Sequence, residues 1–179
     1  MNKQTDLQLV AVYAHPQNIL QAVSSLLKKQ IERTQLSLIV PKVSKNCPNG
    51  VVSSNASSLH FQHELEKIWV EFSELIPDSE IIFVPNVGEV VLSGKIVHLL
   101  ENCVSEGESV DLAMILSTFC TDEKCAPEYQ IALNSNKILL LVHSPIPDYD
   151  EAARILKKHE ATIIEQYPLR NLSVTAILK

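Results

Sequence analysis

The chain opens and closes on one pattern. Leu7–Tyr13 and Ile138–His143 are short apolar runs with turn chemistry after them, so each reads as a buried strand. After the first, His15-Pro16 opens a helix, because proline suits a first helical position. Ile19, Leu20, Val23, Leu26, Leu27 and Ile31 follow at helical spacing, and Leu36–Val40, closed by Pro41, is the next strand. After the second, Asp148 and Glu151 stand at capping-box spacing, with Asp in place of the usual Ser or Thr. Ala152, Ala153, Ile155 and Leu156 then form an apolar stripe, and Thr162–Tyr167 reads as a strand. Val12 corresponds to Val142, Ala22 to Ala152, Leu26 to Leu156 and Lys28 to Lys158, each pair at the same separation along the chain. Two strand–helix–strand units around one sheet make an α/β (α+β) fold of ferredoxin-like, split βαβ type. Residues 1–41 and 137–179 are expected to form its core, and 42–136 a long, largely helical insertion within a single domain of 179 residues.

The insertion begins with a Ser/Asn-rich tract, 42–58, that contains Pro48, Asn49 and Gly50 and shows no periodicity; it reads as a surface loop. Ser58 is placed to cap a helix whose apolar face runs through Phe61, Leu65, Ile68, Trp69, Phe72, Leu75 and Ile76. Ile81–Val84 and Glu89–Leu92 read as two short strands around Pro85-Asn86-Val87-Gly88. Short helices are expected after Gly94, around Leu112–Phe119 and with Pro127 in the first turn of one that carries Tyr129, Ile131 and Leu133. Leu172–Leu178 alternates in a way that suits one further edge strand.

Composition narrows the chemistry. Fifteen basic against 21 acidic side chains leave a net charge of −6, which disfavours a surface built on phosphate contacts, and no nucleic-acid partner is expected. No apolar run approaches the roughly 20 residues that span a bilayer, and no secretory leader is seen, so the expectation is a cytoplasmic chain with no membrane partner. Gly88–Lys95 looks at first like a phosphate loop. It has one residue too many between its glycines, Ile96 stands where Ser or Thr must bind magnesium, and Val90-Val91-Leu92 is strand-like. Gly94 better suits a sharp strand-to-helix turn. No cofactor motif is present, and none is expected to bind. His60 and His63 lie three apart on one helix, and Cys120 and Cys125 are separated by four residues; with Cys103 these are the candidates for metal or redox chemistry. His143 adjoins Ser144, but strand neighbours point to opposite faces, so the two make no catalytic pair. No catalytic residue is assigned. Tyr13, His15, Tyr129, His143 and Tyr149 lie near strand ends or helix starts and are the candidate lining of a ligand site.

Val12-Tyr13, the helix and Leu36–Val40, then Ile81-Ile-Phe-Val-Pro85-Asn-Val-Gly88-Glu-Val-Val-Leu-Ser-Gly94, then Glu128-Tyr129, Lys137–Val142 and Ala152–Leu156 come in a familiar order. In that order they resemble the heat-induced stress protein YflT-like family, the general stress protein domains, over about half the chain. The resemblance implies a small stress-associated α/β domain and carries over no catalytic residue. Gly88, Gly94 and Tyr129 match positions the family favours. Asn136 stands where the family usually has Gly, and Asn also tolerates a left-handed turn. The glycine-rich segment of many relatives is absent, since Ser105–Phe119 holds one Gly. The expected function is a non-enzymatic stress-associated or regulatory domain acting on a protein partner or on itself as a homodimer, through exposed sheet edges. The alternatives are a small-molecule-binding regulatory domain, with its pocket between core and insertion, and a metal or redox protein.

Overall fold

Strands without a charged side chain are suited to burial on both faces, and three such strands lie side by side at the centre of this protein. The computed structural model describes residues 7–42, 56–101, 109–117, 125–143 and 145–168. The first third holds β1 (Leu7–Tyr13), α1 (Pro16–Leu27), a 3₁₀ turn (Arg33–Gln35) and β2 (Leu36–Pro41). The middle holds α2 (Ala56–Leu75), β3 (Ser79–Val84), β4 (Gly88–Gly94), α3 (Lys95–Glu101), α4 (Leu112–Ser117) and α5 (Cys125–Asn134). The last third holds β5 (Ile138–Val142), α6 (Tyr149–Lys158) and β6 (Ile163–Pro168).

The six strands form one antiparallel sheet in the order β3-β4-β2-β5-β1-β6. β5 pairs with β1 (Ala11 opposite Leu140) and with β2 (Leu38 opposite Leu140), so the last third of the chain is hydrogen-bonded between two strands of the first. β1 in turn lies between β5 and β6.

Side chains alternate between the faces of a strand, and here both faces are covered. Leu9, Ala11, Tyr13, Leu38 and Leu140 point to the face covered by α1, α2 and α6. Val10, Val12, Ile39, Leu139 and Leu141 point to the face covered by α3, α4 and α5. This is why β1, β2 and β5 read as continuous apolar runs although the sheet is antiparallel; the usual apolar/polar alternation needs one wet face. The edge strands lack the second cover, and β3 accordingly exposes four of its six residues.

The turns follow from local chemistry. Val87 N–H donates to Val84 O, with Pro85 and a left-handed Asn86 (φ 65°) between them, a type II turn that joins β3 to β4. The expected left-handed residue at Asn136 is present (φ 57°), and it ends α5: Asn136 N–H donates to Leu133 O and Lys137 N–H to Ala132 O, a Schellman cap. Glu160 (φ 64°) closes α6 in the same way, and Gln30 (φ 67°) follows α1, where Ile31 N–H reaches Leu26 O. With four glycines in the chain, non-glycine residues occupy these left-handed positions.

Four readings need correction or placement. The insertion is not simply a helical excursion, because it supplies β3 and β4, and β4 pairs directly with β2 (Ile39 opposite Leu92). The aliphatic alternation of Val90–Leu92 suits the sheet as well as any core strand. Ser58 lies inside α2, which starts at Ala56, rather than capping it. The remainder of the 42–58 tract from residue 43 to 55, and the alternating stretch Leu172–Leu178, lie outside the described residues.

Gly94 joins β4 to α3 at φ 83°, and a Cβ there would meet Leu36 O at 2.2 Å and Ile76 Cγ2 at 2.8 Å. Gly94→Ala therefore combines backbone strain with a steric clash and should destabilise by more than about 2 kcal/mol in chemical denaturation. Gln30→Gly relieves a left-handed non-glycine residue and should stabilise by about 0.5–1 kcal/mol, after the added freedom of the unfolded chain is offset.

Candidate functional site

Three places combine chemistry with geometry: a buried polar network under one end of the sheet, a cleft above that end, and the open edge at β3.

Ser37 is an isolated hydroxyl within the apolar run of β2, and a buried hydroxyl needs partners. It lies on the face covered by α3, fully buried, and its Oγ accepts the Ile96 N–H at 2.9 Å, at the start of α3. His143, 2% exposed, places Nε2 at 2.7 Å from the same oxygen. Its backbone N–H donates to Gln35 O at 2.7 Å. The Gln35 side chain returns the connection, with Nε2 donating to His143 O at 3.3 Å and to Pro145 O. Burial, with the nearby Lys95 ammonium, pushes the His143 imidazole down to about 3 from its ordinary 6.5. His143 is thus a neutral imidazole that ties β2, β5 and α3 together. Its serine partner is Ser37 on the neighbouring strand, not the adjacent Ser144. The pair is sealed from solvent, which suits a structural role and not attack on a substrate.

Above this network, at the end of the sheet where β2 and β3 begin and β4 and β5 finish, lies a cleft of about 600 Å³. Residues 30–35 and 145–147 come from the two ends of the chain, and 77–78 and 94–98 from its middle. The cleft therefore lies between the expected core and the insertion. Within it His98 Nε2 approaches Asp78 Oδ2 at 3.1 Å and Nδ1 approaches Glu101 Oε2 at 3.4 Å. Hydrogen bonds to Asp78, then Glu101, raise the exposed His98 imidazole above its usual range.

The third place is β3, whose only strand neighbour among the described residues is β4. Ile81 and Phe83 stand 55% and 68% exposed on its α2-facing side. Beside Ile81 a groove of about 280 Å³ runs between sheet and helix, lined by Phe61, Leu65, Trp69 and Val91. Val70 on α2 is also 65% exposed.

The five proposed lining residues do not converge. Tyr13 is buried on the α1 side, its hydroxyl donating to Leu156 O at 3.1 Å, and burial raises its phenol. Tyr129 is buried on the opposite face, where its hydroxyl donates to Glu165 Oε2 at 2.9 Å and meets Tyr167 Oη at 3.0 Å. Tyr167 also donates to Glu165, and burial followed by that hydrogen bond raises its phenol strongly. His15 is exposed ahead of α1, and Tyr13, opposite Ile138, lies at the other end of the sheet from His143. Tyr149 is half-buried at the start of α6. Period-2 and helical patterns place residues on a face, but they do not say which end of which neighbouring strand lies alongside.

His60 and His63 are exposed on α2, and His60 pairs with Glu64 at 3.3 Å. Cys125 is buried at the start of α5, while Cys103 and Cys120 lie outside the described residues. Among the described residues no group of three or more His, Cys, Asp or Glu side chains is arranged for a metal ion, and no helix is long and apolar enough to cross a membrane. Comparison with family models, curated proteins and solved structures returns no match for this chain.

The neutral His143 makes stability depend on pH with a definite sign. Between about 6.5 and 3 the unfolded chain binds a proton there and the folded chain does not. Its contribution is complete above pH 6.5 and is lost as pH falls, at up to about 1.4 kcal/mol per pH unit within that window. His143→Gln should flatten the fall in melting temperature between pH 7 and 4 relative to the parent, at the cost of a lower melting temperature at pH 7.

Proposed function

We propose that this chain is a non-enzymatic cytoplasmic binding domain of the general stress protein type, which acts by pairing the open edge of β3 with a second copy of itself. The exposure of Ile81 and Phe83 on a strand with one neighbour among the described residues carries this reading. An edge strand is normally blunted by charge, proline or a bulge, because its free N–H and C=O groups template pairing. β3 carries a single charged residue, Glu80.

The phase of the ladder shows which groups are free to pair. Gly94 N–H donates to Asp78 O, and Lys42 N–H on the other side of β4 donates to Glu89 O. Asp78, Glu80 and Ile82 therefore direct their main-chain groups toward β4, and Ser79, Ile81 and Phe83 direct theirs outward. An antiparallel β3–β3 pair with Ile82 on the two-fold axis is self-complementary. It sets Ile81 against Phe83 of the second copy, burying both exposed side chains. It sets Glu80 against Val84 of the second copy, so the like charges never face each other.

The strand order β2-β5-β1-β6, with each strand–helix–strand unit spanning one strand of the other, supports a ferredoxin-like core to which β4 and β3 are added as a hairpin. The left-handed Gly88 and Gly94 fall on positions that carry the family resemblance, and Asn136 keeps a left-handed turn where the family usually has Gly, which supports the stress-protein reading. The sealed Ser37–His143 pair supports binding over catalysis.

Sedimentation over a wide concentration range tests the proposal. The parent chain should move from monomer to dimer as concentration rises, the interface being a six-residue strand. Phe83→Lys should remain monomeric with an unchanged melting temperature. Ile81→Pro should also remain monomeric and folded, because it removes an outward N–H, whereas Ile82→Pro removes a ladder bond to β4 and should destabilise. A parent chain that stays monomeric throughout, or a Phe83→Lys variant that dimerises equally well, overturns it.

A further inference from the structure

We propose that the cleft between the 3₁₀ turn and α3 binds a small organic anion: one carboxylate or phosphate group carried on a flat apolar body. Its volume of about 600 Å³ falls in the range of small-molecule sites. This goes beyond self-association at β3, which lies along the sheet edge and uses other residues.

The charge inventory of the cleft is the main argument. Two acidic side chains line it, Asp78 and Glu32, and each is hydrogen-bonded within the cleft walls. Asp78 Oδ2 is 3.1 Å from His98 Nε2. Glu32 accepts from Thr34 Oγ1 at 3.2 Å, and its side chain takes the Gln35 backbone N–H in a capping box. Two cations in the same walls have no such partner. Arg33 Nη1 donates to a neutral carbonyl, Glu74 O, at 2.9 Å, and Arg33 lies within salt-bridge distance of no carboxylate among the described residues. Lys95 lies within salt-bridge distance of no carboxylate among the described residues. The cleft thus sets two cations, neither within salt-bridge distance of a carboxylate among the described residues, in one concavity whose walls also carry Glu32 and Asp78. Their donors match an oxyanion: the guanidinium presents a planar fork and the ammonium a point charge.

The remaining wall sets the other half of the ligand. Pro77, Pro145 and Pro147 give the cleft rigid apolar surface that loses little entropy on contact. A ring or other flat body suits such a wall better than a polyhydroxylated one.

The shape is formed before a ligand arrives. Gln35 pins the segment at Pro145 to the 3₁₀ turn, and Gly94 N–H ties the Asp78 turn to the end of β4 at 2.9 Å. Underneath, the Ser37–His143 network holds the start of α3, and so Lys95, in place.

Calorimetric titration of the full chain with inorganic phosphate, benzoate and adenosine monophosphate tests the proposal and separates the two anion chemistries. Phosphate alone should bind weakly, since it leaves the proline wall empty. Tighter binding of adenosine monophosphate assigns a phosphate-bearing ligand, and tighter binding of benzoate a carboxylate. In either case Arg33→Gln and Lys95→Gln should each weaken binding by about tenfold or more, the loss expected when a hydrogen bond to a charged group is removed. Arg33 is exposed and Lys95 half-buried, both outside the apolar core, so both variants should remain folded. The Phe83→Lys monomer should bind as the parent does, so a failure of the edge pairing leaves this result independent. Absence of binding by all three probes at millimolar concentration overturns the proposal, as does binding that the Arg33 and Lys95 variants leave intact.

Discussion

β5 is hydrogen-bonded between β1 and β2, so strands far apart in the chain share one register. No segment can form its sheet alone. β1 and β2 are not neighbours, and each unit of the last third is completed only by a strand of the first. The pairing also explains the composition of the centre. A strand held between two others, with helices above and below, has no wet face and no wet edge, so charge is excluded from it. The entropy of bringing the chain ends together must be offset by this central apolar contact, which gives the fold its non-local character.

The same arrangement leaves two regions in different physical states. Toward β3 the cover thins, and an aliphatic and an aromatic side chain stand exposed beside main-chain groups that pair with no other strand among the described residues. At the end of the sheet, loops from four parts of the chain meet around a concavity. Beneath it, Ser37, His143 and the Ile96 N–H satisfy one another away from solvent. The buried imidazole is held neutral by burial, with the Lys95 charge adding to the effect. A hydroxyl in the middle of a β-strand thereby supports the placement of residues that face the cleft.

Much of this was legible before the structure. The β1–α1–β2 and β5–α6–β6 units, the Asp148 cap, the β3–β4 pair and the left-handed Asn136 follow from periodicity, capping and turn chemistry, all local effects. Ser37 was a readable signal, since a lone hydroxyl in an otherwise apolar run asks for a partner. Its partner was not legible, because His143 meets it across the sheet. Tyr129 looked like a ligand residue near a helix start, yet its hydroxyl turns inward to Glu165 and Tyr167 on another element. Arg33 and Lys95 carry no local signature: each is an ordinary cation until the fold sets both in one concavity.

From the order of residues alone come the elements, their apolar faces and the turns between them, because helix period, strand period and left-handed backbone preferences act over a few positions. Which strands become neighbours, which edge stays open and which charges share a cavity came from the folded chain. Those outcomes depend on contacts between distant segments, and neighbouring residues carry no record of them.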